Sequence, residues 1–289
     1  AIQDEENVCA EIIYASVGMV LCSHPDFAYK SACFQAYNRW LQSFCAGAPK
    51  RLFGLAQTAV ESVDGAIADF RAAKEMGMVG MMMTGNPQHE DYDHRDYDAL
   101  WECAVDLDLP ICFHILTSND HGVETAFKAE RGHPANGFMN IMRSVQDVLG
   151  VFLFGGTFDK FPKLKMVIAE ADAGWLPHYS YRMDHAYNRH GVWLGGGKNL
   201  AKMPSEYITK NVAFTFQDDA TAYQTEILVG DKALADSGRL IWASDYPHTD
   251  STYPRSQQIL TRQMAHLSEA QRNAIVHDNV KELFKLPIA

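Results

Sequence analysis

Three residues of this chain, His114, Glu170 and Asp245, carry acid–base or metal-binding groups at places where a fold can use them. Each stands at the end of a short apolar run. Pro110-Ile-Cys-Phe-His114-Ile, Lys165-Met-Val-Ile-Ala-Glu170 and Gly238-Arg-Leu-Ile-Trp-Ala-Ser-Asp245 all read as buried strands running into a polar side chain. Pro247 then stops the last ladder from continuing. A carboxylate or imidazole at the C-terminal tip of a parallel strand is how an α/β barrel presents catalytic and metal-binding groups. Period-two alternation sets Cys112 with His114, Ile168 with Glu170, and Ala243 with Asp245, so all three polar tips are expected to point inward. A buried carboxylate without a partner costs several kcal/mol, so this convergence asks for a cation or a proton relay. Taken alone, His114 reads as an ordinary core histidine; its company is what points to function.

Regular alternation of strands and helices must position these tips. Strands are expected at Ile12–Ala15, Leu52–Ala56, Val79–Met83, Pro110–Ile115, Lys165–Ala171, Val212–Phe216 and Arg239–Ser244. Between them lie amphipathic stretches. One carries Phe34, Tyr37, Trp40, Leu41 and Phe44; another starts near Asp64 and stops at Gly77. Others cover about 96–107, 137–149 and 174–187, and helices close the chain near Leu286. This pattern implies parallel βα units. Seven strands are one short of a closed (β/α)₈ barrel, and an open doubly wound sheet accepts seven, so the count alone does not choose.

Composition excludes several classes. The 289 residues are 47% hydrophobic, enough for one large domain with a substantial core. A formal charge of -11 argues against nucleic acid or an anionic membrane as partner. The longest apolar stretch, Ile12–Cys22, is too short to span a membrane. Six cysteines without a C-x-x-C pair read as reduced thiols in a cytoplasmic protein. Gly195-Gly-Gly-Lys198 has no preceding strand and no following Ser or Thr, so it is not a phosphate loop. The absence of G-x-S-x-G leaves a serine hydrolase unsupported. His89-Glu-Asp-Tyr-Asp-His94-Arg-Asp96 has ligand-like spacing, but a solvated loop ending in an Asp96 helix cap is the simpler reading.

Phe161-Pro-Lys-Leu-Lys-Met-Val-Ile-Ala-Glu170, Gly174-Trp-Leu-Pro, Arg182-Met-Asp184, Ala243-Ser-Asp-Tyr-Pro-His248 and His277-Asp-Asn-Val-Lys-Glu-Leu-Phe together resemble the amidohydrolase-2 family. That group includes aminocarboxymuconate-semialdehyde decarboxylase and resorcylate decarboxylase relatives. The resemblance runs from about Asp4 to the C-terminus. It implies a TIM-like (β/α)₈ barrel with one divalent metal at its mouth, zinc first and manganese second, and a homodimer. On it, His114 and Asp245 are metal ligands, and Arg182 binds a substrate carboxylate. The same neighbourhood makes Trp175, His178 and His248 substrate-binding candidates.

Two departures stand out. The family's Asp-x-His-x-His strand has no counterpart, and Ile12–Ala15 corresponds to its second strand, so a preceding natural segment is expected to supply the first. Glu170 stands where many members have an acid–base histidine. Residues 1–289 are thus expected to form one amidohydrolase-like barrel domain with seven of eight core strands recognisable. Its activity would be metal-dependent hydrolysis or decarboxylation of a small aromatic or unsaturated carboxylate, with Asp245 and Glu170 as the catalytic pair. The rivals are a metal-free acid–base enzyme on the same barrel and a silent barrel kept as a binding or oligomerisation scaffold.

Overall fold

The computed structural model describes residues 2–118, 132–133, 135–191, 200–224 and 226–288, with the side chains of 138, 140 and 141 left out. The Gly195–Lys198 segment lies outside the described residues. The chain divides into two compact units, one formed by residues 10–168 with 288, the other by residues 1–9, 169–287 and 289.

The first unit alternates strand and helix. Strands β1 (Glu11–Ile13), β2 (Leu52–Thr58), β3 (Gly80–Met83) and β4 (Ile111–His114) enclose helices α1 (Phe27–Ala46), α2 (Val63–Glu75) and α3 (Asp98–Asp106). Helix α4 (Ala135–Phe154) then leads to β5 (Met166–Ala169). The four strands pair in parallel, with Glu11 opposite Leu52, Leu55 opposite Gly80 and Met81 opposite Ile111. All of β3 and β4 is buried, as is β2 after its first residue. Uniformly apolar runs are what a parallel sheet covered on both faces requires. Side-chain oxygens start the helices: Asp26 accepts from Tyr29 N–H at 2.9 Å and Ser62 from Gly65 N–H at 3.1 Å. Gly77 ends α2 at φ 77°, the left-handed stop expected of it. Asp96 does not cap α3; His94 caps a short 3₁₀ turn, Arg95–Tyr97, that precedes it. An aromatic core sits around Phe152, whose ring lies within 6.0 Å of those of Tyr92, Trp101, Phe113 and Phe158.

The second unit holds α5 (Leu176–His190), α6 (Pro204–Asn211), β6 (Val212–Phe216), β7 (Leu240–Trp242) and terminal helices ending at Phe284. Strands β6 and β7 pair in parallel, Phe214 opposite Leu240 and Phe216 opposite Trp242. A two-residue antiparallel pair, Leu228–Val229 with Lys232–Ala233, lies between them in sequence and carried no sequence signal. Glu6 is held here, accepting from Ser256 N–H at 3.0 Å.

All six cysteines are free thiols. Burial pushes Cys22 and Cys112 up to about 12, whereas Cys9 is exposed. No described helix is long and apolar enough to cross a membrane.

Candidate active site

The two carboxylates singled out from the sequence are not strand residues. Strand β5 ends at Ala169 and β7 at Trp242, and the last rung of the latter is Ala243 N–H to Phe216 O at 2.9 Å. Glu170 and Asp245 then adopt left-handed backbone, φ 60° and 56°. Pleat alternation therefore does not set their direction; the left-handed residue that breaks each ladder does. Left-handed backbone costs a non-glycine residue about 1–3 kcal/mol and collects at functional sites.

These turns bring Glu170, Asp245 and His248 together, with ligand-type atoms of all three within 4.8 Å of one another. His248 Nδ1 lies 2.8 Å from Asp245 Oδ1, and its backbone N–H donates to the Asp245 carbonyl at 2.9 Å. An ionised carboxylate oxygen can only accept, so Nδ1 is the donor of this pair. The Asp245 side chain is 6% exposed against 40% for His248, so the imidazole is the solvent-side member. Asp245 Oδ2 is buried and receives no hydrogen bond from a donor group among the described residues. Its carboxylate neighbour is Glu170, another acceptor. Burial, and then repulsion from Glu170, push Asp245 up to about 6, with His248 opposing the shift.

The turn that carries Glu170 is tied to β6 and the residues after it. Glu170 N–H donates to Thr215 Oγ1 at 2.8 Å, and Ala173 and Gly174 N–H donate to Asp219 Oδ2 at 2.9 and 2.6 Å. Asp172, also left-handed at φ 54°, is raised to about 6 by burial and by Asp219. Sequence reasoning missed Thr215, Asp219 and Asp172. Asp219 alone left a signal, the polar run Gln217-Asp-Asp219 directly after a buried strand.

The other candidates occupy different settings. His114 is the last residue of β4 in the first unit, 3% exposed, its ring 5.4 Å from that of Tyr14. Its Nδ1 lies 2.9 Å from the Ile115 carbonyl oxygen, an acceptor, so Nδ1 is the donor of that pair. Trp175 Nε1–H donates to Ala171 O at 2.8 Å, and the indole packs edge-on to Phe214 and Tyr179. His178 and Arg182 are exposed on α5. Asp184, from the same motif, accepts from Ser205 N–H and Oγ–H at 2.9 and 2.7 Å and so joins α5 to α6.

A family model described as amidohydrolase matches residues 23–286. The chain belongs to the amidohydrolase family. It is an enzyme of the hydrolase or carboxy-lyase kind, and its fold class is the TIM-like barrel of the metal-dependent hydrolases, with β1–β7 as seven core strands. Decarboxylase orsB of Emericella nidulans is 23% identical over 246 residues, 82% of this chain and 71% of that protein. Among solved structures, 2,6-dihydroxybenzoate decarboxylase from Rhizobium has a TM-score of 0.74 at 19% identity, covering 99% of this chain and 86% of that one. The 5-carboxyvanillate decarboxylase of Novosphingobium aromaticivorans, complexed with manganese and 4-hydroxy-3-methoxy-5-nitrobenzoic acid, reaches 0.77 at 20% identity, covering 99% and 78%.

Proposed function

We propose that this amidohydrolase is a decarboxylase of a small hydroxylated aromatic carboxylate, assisted by one divalent metal ion. The observation that carries the reading is the cluster of Asp245 with Glu170 and His248 within 4.8 Å, in which Asp245 Oδ2 is buried without a hydrogen-bond partner among the described residues. Two carboxylates pressed together in this way are balanced only by a proton or a cation. Two carboxylates and an imidazole within 4.8 Å fit a divalent ion chemically, since zinc and manganese both accept oxygen and nitrogen donors. The manganese bound in the similar 5-carboxyvanillate decarboxylase favours manganese over zinc.

Asp245 and His248 Nε2 are the donors we assign to the ion within this unit. The ligand role that family resemblance gives His114 is tested separately by substitution. When bound, the ion supplies positive charge that orients and polarises the substrate's oxygens. Glu170 is the acid. Its protonated carboxyl donates to the ring carbon as the C–C bond to the carboxylate breaks; the bonding pair stays on the ring carbon and CO₂ departs. Glu170 then regains a proton from water. Arg182 is left for the substrate carboxylate or a neighbouring subunit, as the resemblance implies.

The test uses full-length protein loaded with Mn²⁺ and a panel of hydroxybenzoates in D₂O. The expected result is CO₂ release with deuterium at the vacated ring carbon. Hydrolysis of esters or lactones without CO₂ release from the panel would replace this reading with a hydrolase. Turnover by metal-free protein would support the acid–base enzyme, and no turnover at all the silent scaffold.

A further inference from the structure

We propose that Asp219, together with Thr215, is a positioning residue that sets the place of Glu170. Asp219 is 8% exposed and uses both carboxylate oxygens fully. Oδ2 accepts from Ala173 N–H at 2.9 Å and Gly174 N–H at 2.6 Å, and Oδ1 accepts from Thr221 N–H at 3.0 Å and Thr221 Oγ–H at 2.5 Å. With four donors on it, this carboxylate has no capacity left to ligate or to move a proton. Its effect falls on the turn from Glu170 to Gly174.

That turn does not hold itself. Glu170 and Asp172 are both left-handed, at φ 60° and 54°, a conformation that persists only where the surroundings impose it. Thr215 holds one end by accepting Glu170 N–H at 2.8 Å, and Asp219 holds the other. Between these anchors the chain has little freedom. A Cβ on Gly174 would sit 1.6 Å from Thr221 Oγ1, so the turn packs directly against the residue that fixes Asp219. Strand β6 and the loop after it thus act as a bracket that aims the Glu170 side chain in the turn that follows Ala169. A displacement of about 1 Å in an acid group can cost about 100-fold in rate. The catalytic consequence rests on Glu170 being the acid, as read above; the placement of Glu170 does not.

The experiment compares full-length wild type with Asp219→Asn, which keeps the shape but turns one acceptor oxygen into an NH₂ that two N–H donors cannot use. Crystal structures of the metal-free proteins give the first readout. The proposal expects the Glu170 carboxylate of the variant to leave the 4.8 Å cluster with Asp245. Steady-state kinetics of the Mn²⁺-loaded proteins give the second: kcat about 100-fold lower, with KM and Mn²⁺ affinity unchanged. A variant that melts earlier but keeps Glu170 in place overturns the proposal and leaves Asp219 a purely structural bracket. If wild type decarboxylates nothing, the functional reading fails and the crystal structures alone decide the positioning role. Should Asp219→Asn not fold, Thr221→Ala removes a single donor from the bracket, and the same displacement of Glu170 is the criterion.

Discussion

Asp245→Asn should make the metal-free protein more stable at neutral pH while abolishing its activity. In the folded chain this carboxyl is raised from 3.8 to about 6 by burial and by Glu170. At about 1.4 kcal/mol for each tenfold change in proton affinity, that rise sets an upper figure of about 3 kcal/mol. Water reaching the pair past His248 reduces this to about 1–2 kcal/mol. The folded state binds this proton more tightly than the unfolded state does. The group's contribution is therefore fully present below about pH 4, declines as pH rises, and is lost above about pH 6. Asparagine has no such titration, and its Nδ2–H can donate to Glu170. At pH 7.5, in the presence of a chelator, the variant should melt about 3–6 °C above wild type, the gain narrowing toward zero at pH 4. Scanning calorimetry at both pH values is the assay. A variant less stable than wild type at pH 7.5, or an offset that does not change with pH, would refute the account of two unbalanced carboxylates.

Other consequences are as direct. His114→Ala should lower bound Mn²⁺ by at least tenfold with the fold intact, as elemental analysis after dialysis would read; unchanged metal content would remove His114 from the ligand set. Phe152→Ala empties a fully buried site among four other aromatic rings and should cost about 3–5 kcal/mol in denaturant unfolding. Gly18→Ala would place a Cβ 1.9 Å from Oε1 of Gln57, a side chain 1% exposed that has nowhere to retreat. That overpacking should cost about 1–3 kcal/mol; a neutral result would mean that Gln57 repacks.

The architecture was legible because parallel strands buried on both faces leave long marks: uninterrupted runs such as Met81-Met-Met83 and Ile111-Cys-Phe-His114 have no other common explanation. Helix limits were legible where a specific group sets them, as Ser62 and Gly77 do. The site was half legible. Glu170 and Asp245 could be named because each follows an apolar run, and His248 because it stands just past Asp245, but the reason given for the convergence was wrong for both carboxylates. A strand was extended through residues whose left-handed φ ends it, and no local propensity announces a left-handed Glu or Asp. Thr215 and Asp219 were invisible because their meaning lies in backbone N–H groups 45 and 46 positions away. The Leu228–Ala233 hairpin is too short to carry a period.

The distribution of the thiols offers a way to watch the two units independently. Cys22, Cys33, Cys45, Cys103 and Cys112 all belong to the first unit, and exposed Cys9 to the second. With Cys22 and Cys112 raised to about 12, neither forms an appreciable thiolate while folded. A thiol-specific dye should therefore tag Cys9 at once and reach those two only through opening of the strands and helices around them. Labelling followed by peptide mass mapping would time the breathing of the β1–β4 unit without disturbing Glu170, Asp245 or His248. Comparing those rates with and without Mn²⁺ would show whether metal binding slows that breathing.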